Sequence, residues 1–137
     1  MAKQIYVNLP VKDIVRTNAF FSQLGYTFNP NFSDDKATCM IITEDIFVML
    51  LQEEFFKGFT NKEIPDTQKT SEVIVSFSAE SRAAVDELVR KAVAAGATTP
   101  NEPQDMGFMY QHGFQDLDGH LWEYLYMDES ALPPQNL

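Results

Sequence analysis

The first residues of the chain alternate between apolar and polar side chains. Between Ile5 and Val11 the odd-numbered positions are all Ile, Val or Leu, whereas the even-numbered positions are Tyr6, Asn8 and Pro10. A period of two residues is typical of a strand with one buried face. The pattern therefore predicts a strand whose second face is somewhat polar.

A helix is predicted directly after this strand. Asp13 suits the N-cap of such a helix, and Gly25 suits its C-terminal end. Between them lies an apolar stripe at helical spacing, which consists of Ile14, Phe20, Phe21 and Leu24. Three more strands are predicted, at 26–28, 37–43 and 46–51. The first half of the chain is thus expected to have the order β-α-β-β-β.

The second half repeats this order. A strand is predicted at 73–78, and Ser81 and Gly96 suit the two ends of a helix. The apolar stripe of that helix comprises Val85, Leu88, Val89, Ala92 and Val93. Further strands are predicted at 97–99, 108–115 and 121–127, with a proline-containing loop leading to Asp105.

The spacing between the halves supports an internal duplication. Gly25 and Gly96 are 71 positions apart, and Val48 and Glu123 are 75 positions apart, so the two copies keep a nearly constant phase. We therefore expect one domain spanning 1–137, with a first module at 4–51, a linker at 52–70, a second module at 71–128 and a loose tail at 129–137.

The linker contains three phenylalanines, Phe55, Phe56 and Phe59, in an otherwise polar segment. A long connection without clear secondary structure inside a compact domain is either disordered or functional. Aromatic residues favour docking over disorder. They either pack on the nearest edge of the core or close a pocket or a subunit interface.

Composition and charge narrow the classes of partner. A chain of 137 residues, 45% of them apolar, is large enough to bury one core. Its net charge of -10 excludes nucleic acid and anionic membranes as expected partners. The only cysteine, Cys39, lies in an apolar stretch and is expected in the core. No signal peptide is recognised, so we expect a cytoplasmic protein.

Two segments together resemble a known superfamily. These are the run Leu9-Pro10-Val11-Lys12-Asp13 before the first helix and the run from Phe114 to Glu123, which contains Asp-Gly-His and Trp-Glu. They resemble the glyoxalase, bleomycin-resistance and extradiol-dioxygenase group, the vicinal oxygen chelate superfamily. The apolar run 46–51, the Phe-rich linker and residues 107–110 are similar to lactoylglutathione-lyase-related proteins.

The resemblance implies an α+β fold and a site in its concavity. Two βαβββ modules would form an open, cup-like sheet, completed by pairing within the chain or across a homodimer, and we expect the protein to be a homodimer. In the superfamily a divalent metal is held by the first and last strands of each module, and it chelates two adjacent oxygens of the substrate.

Transferring these metal positions gives four residues. They are Tyr6, Val48, Glu72 and Glu123, with Thr70 or Ser71 as alternatives to Glu72. Glu72 and Glu123 are the predicted metal ligands, and the metal would be Ni, Zn, Mn or Fe, or absent. This set lacks the imidazoles that these metals favour. Extradiol cleavage, which needs two histidines and a carboxylate, is therefore not expected.

Two functions follow from the resemblance. In the first, a lyase or isomerase of the lactoylglutathione-lyase type stabilises an enediolate of a small vicinal-oxygen substrate, with Glu123, Glu72 and His112 as catalytic groups. His112 is alternatively an exposed strand residue. In the second, a non-catalytic protein of the bleomycin-resistance type binds a small molecule. In both, Tyr6, Asn8 and Tyr110 are predicted to contact the ligand.

Overall fold

The computed structural model describes residues 1–132, and the chain divides into two compact units, Met1–Asp66 and a second unit that begins at Thr67. The single domain expected from the sequence stays a prediction. Within the predicted tail, Glu129–Ala131 forms a 3-10 turn, and the side chain of its N-cap Asp128 accepts a hydrogen bond from the Ser130 N–H. Residues 133–137 of that tail lie outside the described residues.

The first unit has the predicted β-α-β-β-β order. Its elements are β1 (Ile5–Val11), α1 (Ile14–Gln23), β2 (Thr27–Phe28), β3 (Ala37–Ile41), β4 (Ile46–Gln52) and the short helix α2 (Glu53–Phe56). The strand order in the sheet is β1-β4-β3-β2. β1 runs parallel to β4, and the other neighbouring strands are antiparallel.

The second unit has the same topology. Its elements are β5 (Ile74–Ser78), α3 (Arg82–Ala94), β6 (Gln104–Asp105), β7 (Met109–Gln115) and β8 (Leu121–Met127). The strand order is β5-β8-β7-β6, again with one parallel pair. The α+β fold with two βαβββ modules, each an open mixed sheet of four strands, is confirmed.

One strand of the second unit was predicted in the wrong place. Residues 97–99 form only a single bridge, between Thr98 and Gln115, and the strand beside β7 is β6. Pairing cannot continue from Thr98 because the next residue that would donate to β7 is Pro100, which has no backbone N–H.

The predicted helix ends are confirmed. Asp13 accepts a hydrogen bond from the Arg16 backbone N–H at 3.1 Å, and the Ser81 hydroxyl accepts one from Ala84 at 3.0 Å. Gly25 and Gly96 follow α1 and α3 with positive φ angles of 99° and 114°. The apolar stripe of α3 is narrower than predicted, since Val85, Val89 and Ala92 are buried but Val93 is 46% exposed.

Each sheet has one face that packs on a helix. In the first unit, Val48, Leu50 and Met40 are completely buried on the side of α1. In the second, Phe114, Trp122 and Tyr124 are buried on the side of α3. Side chains alternate along a strand, so the intervening residues form the opposite face, which we call the open face. In the first unit it comprises Tyr6, Asn8, Cys39, Phe47 and Met49, of which Cys39 and Phe47 are buried. In the second unit it comprises Ser76, Gln111, Gly113 and Glu123.

Among residues 1–132, no helix combines the length and apolarity needed to cross a bilayer. The cytoplasmic location and the homodimer stay predictions, as does the way in which the cup is completed.

Candidate functional site

Strand register shows that Glu123 corresponds to Met49 in the first unit. Asn8 lies beside Met49, and Ser76 lies beside Glu123, at matching places in the two parallel pairs. Val48, which the sequence comparison of the halves had aligned with Glu123, is completely buried on the helix side. The alignment was wrong by one residue, and a shift of one residue moves a side chain to the other face.

The helix caps show which residue of β5 in the second unit corresponds to Tyr6 of β1 in the first. Tyr6 lies seven residues before the cap Asp13, and the residue seven before the cap Ser81 is Ile74. Glu72 is exposed, precedes β5 by two residues and does not line the cavity beside Glu123. The structure therefore does not bring Glu72 to Glu123. The cap spacing was the sequence signal that could have identified Ile74, and with it Ser76.

Glu123 lies half-buried on the open face of the second sheet. Its Oε2 accepts a hydrogen bond from the Ser76 hydroxyl at 3.3 Å. It borders a cavity of about 70 Å³, the Glu123 cavity, which is also lined by Gln104, Gln111 and Gly113. The Gln111 amide donates to Gln104 Oε1 at 3.1 Å. The carboxylate thus shares the cavity with neutral polar groups and with a second acidic residue, Glu102.

Gly113 makes room for the Glu123 side chain. A Cβ atom at this position would overlap the Trp122 carbonyl oxygen and lie 3.0 Å from Glu123 Cγ. Gly113 of β7 and Glu123 of β8 are direct cross-strand partners. Only glycine therefore allows Glu123 to lie across β7 without a shift of the strand.

Two other predicted site residues lie on the opposite side of this sheet. Tyr110 and His112 alternate with Gln111 and Gly113 along β7, so their side chains leave the strand on the α3 side. His112 borders the Glu123 cavity, but its Nε2 lies 3.0 Å from the Asn101 carbonyl oxygen and donates to it. His112 therefore borders the Glu123 cavity although its side chain leaves β7 on the other face, and its catalytic role stays a prediction.

Tyr110 belongs to a polar cluster on α3. Its hydroxyl donates to Asp86 Oδ1 at 2.5 Å, and this hydrogen bond, together with burial, raises the pKa of Tyr110. The Arg82 guanidinium lies 5.6 Å from the centre of the Tyr110 ring and donates to Asp105 and to the Gly107 carbonyl. These contacts hold β7, and the residues directly before it, against α3.

The turn between β7 and β8 is organised by a buried carboxylate. Asp116 accepts hydrogen bonds from the backbone N–H groups of Asp118 and His120, both at 2.9 Å, and from Trp122 Nε1 at 2.8 Å. Burial raises the pKa of Asp116 against the effect of these donors and of His120. The turn thereby fixes the start of β8, two strand positions from Glu123.

The first unit contains a larger pocket on its open face. Phe32, Phe55 and Phe59 surround a cavity of about 300 Å³, whose floor includes Asn8 and Met49. The rings of Phe55 and Phe59 meet edge to face with centres 5.2 Å apart. We call this pocket the aromatic cavity. The linker phenylalanines Phe55 and Phe59 therefore line a pocket, which is one of the two alternatives that the sequence left open.

Of the two predicted ligand-contacting residues on β1, one lines the aromatic cavity and the other does not. Asn8 lines the aromatic cavity, whereas Tyr6 stacks on Phe47 at 4.8 Å and donates its hydroxyl to Gln4. Phe32 was missed by the sequence analysis. It lies in a 3-10 turn capped by Asn29, and an aromatic residue in such a polar turn-forming segment was the available signal.

Charge distinguishes the cavities from the rest of the surface. Among the described residues, no lysine or arginine lines either of them. Asp34 borders the aromatic cavity, while Glu102 and Glu123 border the other. Both cavities are therefore suited to neutral or cationic groups rather than to anions.

The residues at the expected metal positions do not fit a transition metal within either unit. The open faces offer Asn8 with Met49, and Ser76 with Glu123, which amounts to one carboxylate. Within the described residues, no three or more His, Cys, Asp and Glu side chains are grouped so that they could hold a metal ion. Zn, Ni and Fe sites use several imidazole, thiolate or carboxylate ligands. Glu72 and Tyr6 do not complete such a set in their own units.

Comparison with known proteins supports the fold. A family model described as bleomycin resistance protein-like N-terminal matches residues 3–43. No curated protein matches the chain significantly. A hypothetical protein from S. aureus is 27% identical, with a TM-score of 0.77, covering 92% of this chain and 95% of its own.

Two further solved structures share the fold at lower identity. A glyoxalase/bleomycin resistance protein/dioxygenase family enzyme from Burkholderia phytofirmans is 22% identical, with a TM-score of 0.73 and coverage of 89% and 96%. A genomically encoded fosfomycin resistance protein from Listeria monocytogenes is 22% identical, with a TM-score of 0.67 and coverage of 98% and 96%. The chain therefore has the duplicated βαβββ fold of glyoxalase/bleomycin resistance/dioxygenase proteins, and its segment 3–43 is similar to the bleomycin resistance protein-like N-terminal family.

Proposed function

We propose that the protein binds a small molecule in the aromatic cavity and does so without a resident transition metal. The observation that carries this proposal is the exposure of three phenylalanines around one pocket. Phe32 is 65% exposed, Phe55 36% and Phe59 70%. Isolated exposed apolar side chains are common, but three that line one cavity mark a binding surface.

The size and lining of the cavity indicate the kind of ligand. A volume of about 300 Å³ lies at the lower end of the range for small-molecule pockets. Apolar area covered by a ligand contributes about 25 cal/mol per Å² before the costs of association. A planar aromatic group placed against Phe55 and Phe59 would gain this contribution, while Asn8 supplies a side-chain amide for orientation.

Charge favours a neutral or cationic ligand. The chain carries a net charge of -10, and Asp34 borders the cavity. Rings of phenylalanine attract cations through their faces. Fosfomycin, the compound named in the description of the Listeria protein, is an anion, and no basic side chain from the described part of the chain lines this cavity to receive it. The charge therefore favours a cationic ligand. Bleomycin, named in the matching family model, is far larger than this cavity of about 300 Å³, so only one part of it would enter.

Isothermal titration of chelator-treated protein tests the proposal. Bleomycin and a panel of aromatic amines are the ligands, fosfomycin is the anionic control, and Phe59→Ser and Phe55→Ser are the cavity variants. Val15→Ser, which changes a 79% exposed residue of α1, is the matched control. We expect binding of at least one cationic aromatic ligand, weakened at least tenfold in the cavity variants only. Equal binding by Phe59→Ser, Phe55→Ser and Val15→Ser would contradict the proposal.

A second candidate function is proton transfer of the lyase or isomerase type. It is favoured by one observation, the half-buried Glu123 carboxylate beside the Ser76 hydroxyl. Such a carboxylate can remove a proton next to a carbonyl group. Turnover of the hemithioacetal of methylglyoxal and glutathione, lost in Glu123→Gln, would support this function. A rate equal to the uncatalysed rate for the wild-type protein, with and without added Ni²⁺ or Zn²⁺, would exclude that substrate.

A further inference from the structure

The Glu123 cavity has an unusual electrostatic composition. Within residues 1–132, Glu123 forms no ion pair with a lysine or arginine, and its hydrogen-bond partner is the Ser76 hydroxyl. The charged or titratable side chains that line the cavity with it are Glu102, which is also acidic, and His112, whose Nε2 is engaged by Asn101. The Glu123 carboxylate is therefore able to accept a cationic ligand.

The geometry points to an ammonium group as the missing partner. We propose that the Glu123 cavity binds the protonated amino group of a small organic amine, with the Glu123 carboxylate as its counter-ion. Ser76 holds one carboxylate oxygen, Oε2, so the orientation of the acceptor is fixed before the ligand arrives. The amide side chains of Gln104 and Gln111 supply further neutral polar atoms at the wall.

The volume of the cavity sets which part of the ligand enters. About 70 Å³ is the space of roughly two water molecules. This accommodates an ammonium group with its first methylene, but not an aromatic ring or a quaternary trimethylammonium group. The absence of a side chain at Gly113 is what leaves this space beside Glu123 open.

The same features argue against a divalent metal as the occupant. Glu102 and His112 line the cavity with Glu123, but no three or more His, Cys, Asp and Glu side chains of the described residues are grouped so that they could hold a metal ion. An ammonium group needs one charge and three acceptors, which matches this composition more closely.

Binding of n-butylamine at neutral pH, followed by amide chemical shifts, tests the inference. The neutral analogue 1-butanol has nearly the same shape, and tetramethylammonium carries the same charge in a larger group. We expect saturable shifts at Gly113 and Glu123 with n-butylamine alone. Glu123→Gln should weaken this binding at least tenfold. Glu129→Gln, which removes an equal charge from an exposed turn outside the cavity, should change it less than twofold.

Three outcomes would overturn the inference. The first is equal binding of n-butylamine by both variants, and the second is equal binding of 1-butanol by the wild-type protein. The third is saturation of the site by Mg²⁺ or Mn²⁺ at concentrations below those needed for the amine. Glu123→Asp, which keeps the charge, provides a second variant if Glu123→Gln does not fold, and it should bind more tightly than Glu123→Ala. Failure of n-butylamine to bind the wild-type protein would also overturn the inference, but not the proposal for the aromatic cavity, because Phe59→Ser tests that cavity separately.

Discussion

At the residue scale, Gly113 controls the space around Glu123. Replacing it by alanine places a Cβ atom against the Trp122 carbonyl oxygen and 3.0 Å from Glu123 Cγ. Overpacking of this kind costs about 1–3 kcal/mol. We expect Gly113→Ala to lower the free energy of unfolding in urea by that amount. Gly58→Ala is the control, since no atom of the described residues lies within 4 Å of a Cβ there, and it should remain within about 0.5 kcal/mol of the wild type.

The single thiol of the chain offers a second test at this scale. Cys39 is 1% exposed, and burial raises the pKa of its thiol. The thiol therefore stays protonated and inaccessible at neutral pH, and we expect no reaction with Ellman's reagent in the folded protein. One equivalent should react in guanidinium chloride. Rapid labelling without denaturant would show that β3 opens readily or that Cys39 is not in the core.

The phenol of Tyr110 gives the fold a dependence on pH. The hydrogen bond to Asp86 raises its pKa above the ordinary value of 10.0. Above pH 10 the unfolded chain has lost this proton while the native chain still binds it, so stability falls as the pH rises through this range. Below pH 10 the contribution is complete. We expect Tyr110→Phe to flatten the decline in urea-unfolding free energy above about pH 10. An unchanged slope would contradict the assignment.

At the scale of the element, the caps are the features that sequence patterns predicted best. Asp13 and Ser81 satisfy backbone N–H groups three residues ahead, which is a local interaction that depends on few other residues. The position of β6 could not be predicted in this way. It depends on pairing with β7 and on the interruption of that pairing at Pro100, which are decided between distant segments.

The cap of α3 can be tested by substitution. Ser81→Ala removes the acceptor of the Ala84 N–H and should cost about 1 kcal/mol of unfolding free energy. Ser81→Asp retains an acceptor and should restore most of it. Ser22→Ala, which changes an exposed serine near the end of α1, is the control. If Ser81→Ala and Ser22→Ala were equally stable, the cap would contribute nothing.

The candidate site was predicted less completely than the fold, for a reason that also operates at the level of strands. Glu123 was correctly placed on the face away from the helix because its aromatic neighbours, Trp122 and Tyr124, need the buried face. Glu72 was misplaced because the start of β5 depends on its register with β8, which no local pattern reveals. An error of one residue in the alignment of the two halves likewise matched Val48, instead of Met49, with Glu123.

At the scale of the whole molecule, the duplicated fold has been retained while the two open faces have diverged. The first unit presents phenylalanines and Met49, and the second presents Glu123 among neutral polar groups. Across residues 1–132, neither open face carries the set of ligands that the metal positions of the superfamily would need. A shared fold does not determine function, so the function of this chain is argued from the residues on each open face.

The most direct measurement is methyl NMR of the six methionines during titration of chelator-treated protein with the tightest-binding aromatic amine. Met49 lines the aromatic cavity, whereas Met127 lies on β8 of the second unit. We predict that the Met49 methyl resonance shifts through the ring current of the bound ligand, that Met127 does not move, and that added Zn²⁺ or Ni²⁺ changes neither. A ligand that binds only after metal is added, or that leaves Met49 unchanged at saturation, would contradict metal-free binding in the aromatic cavity.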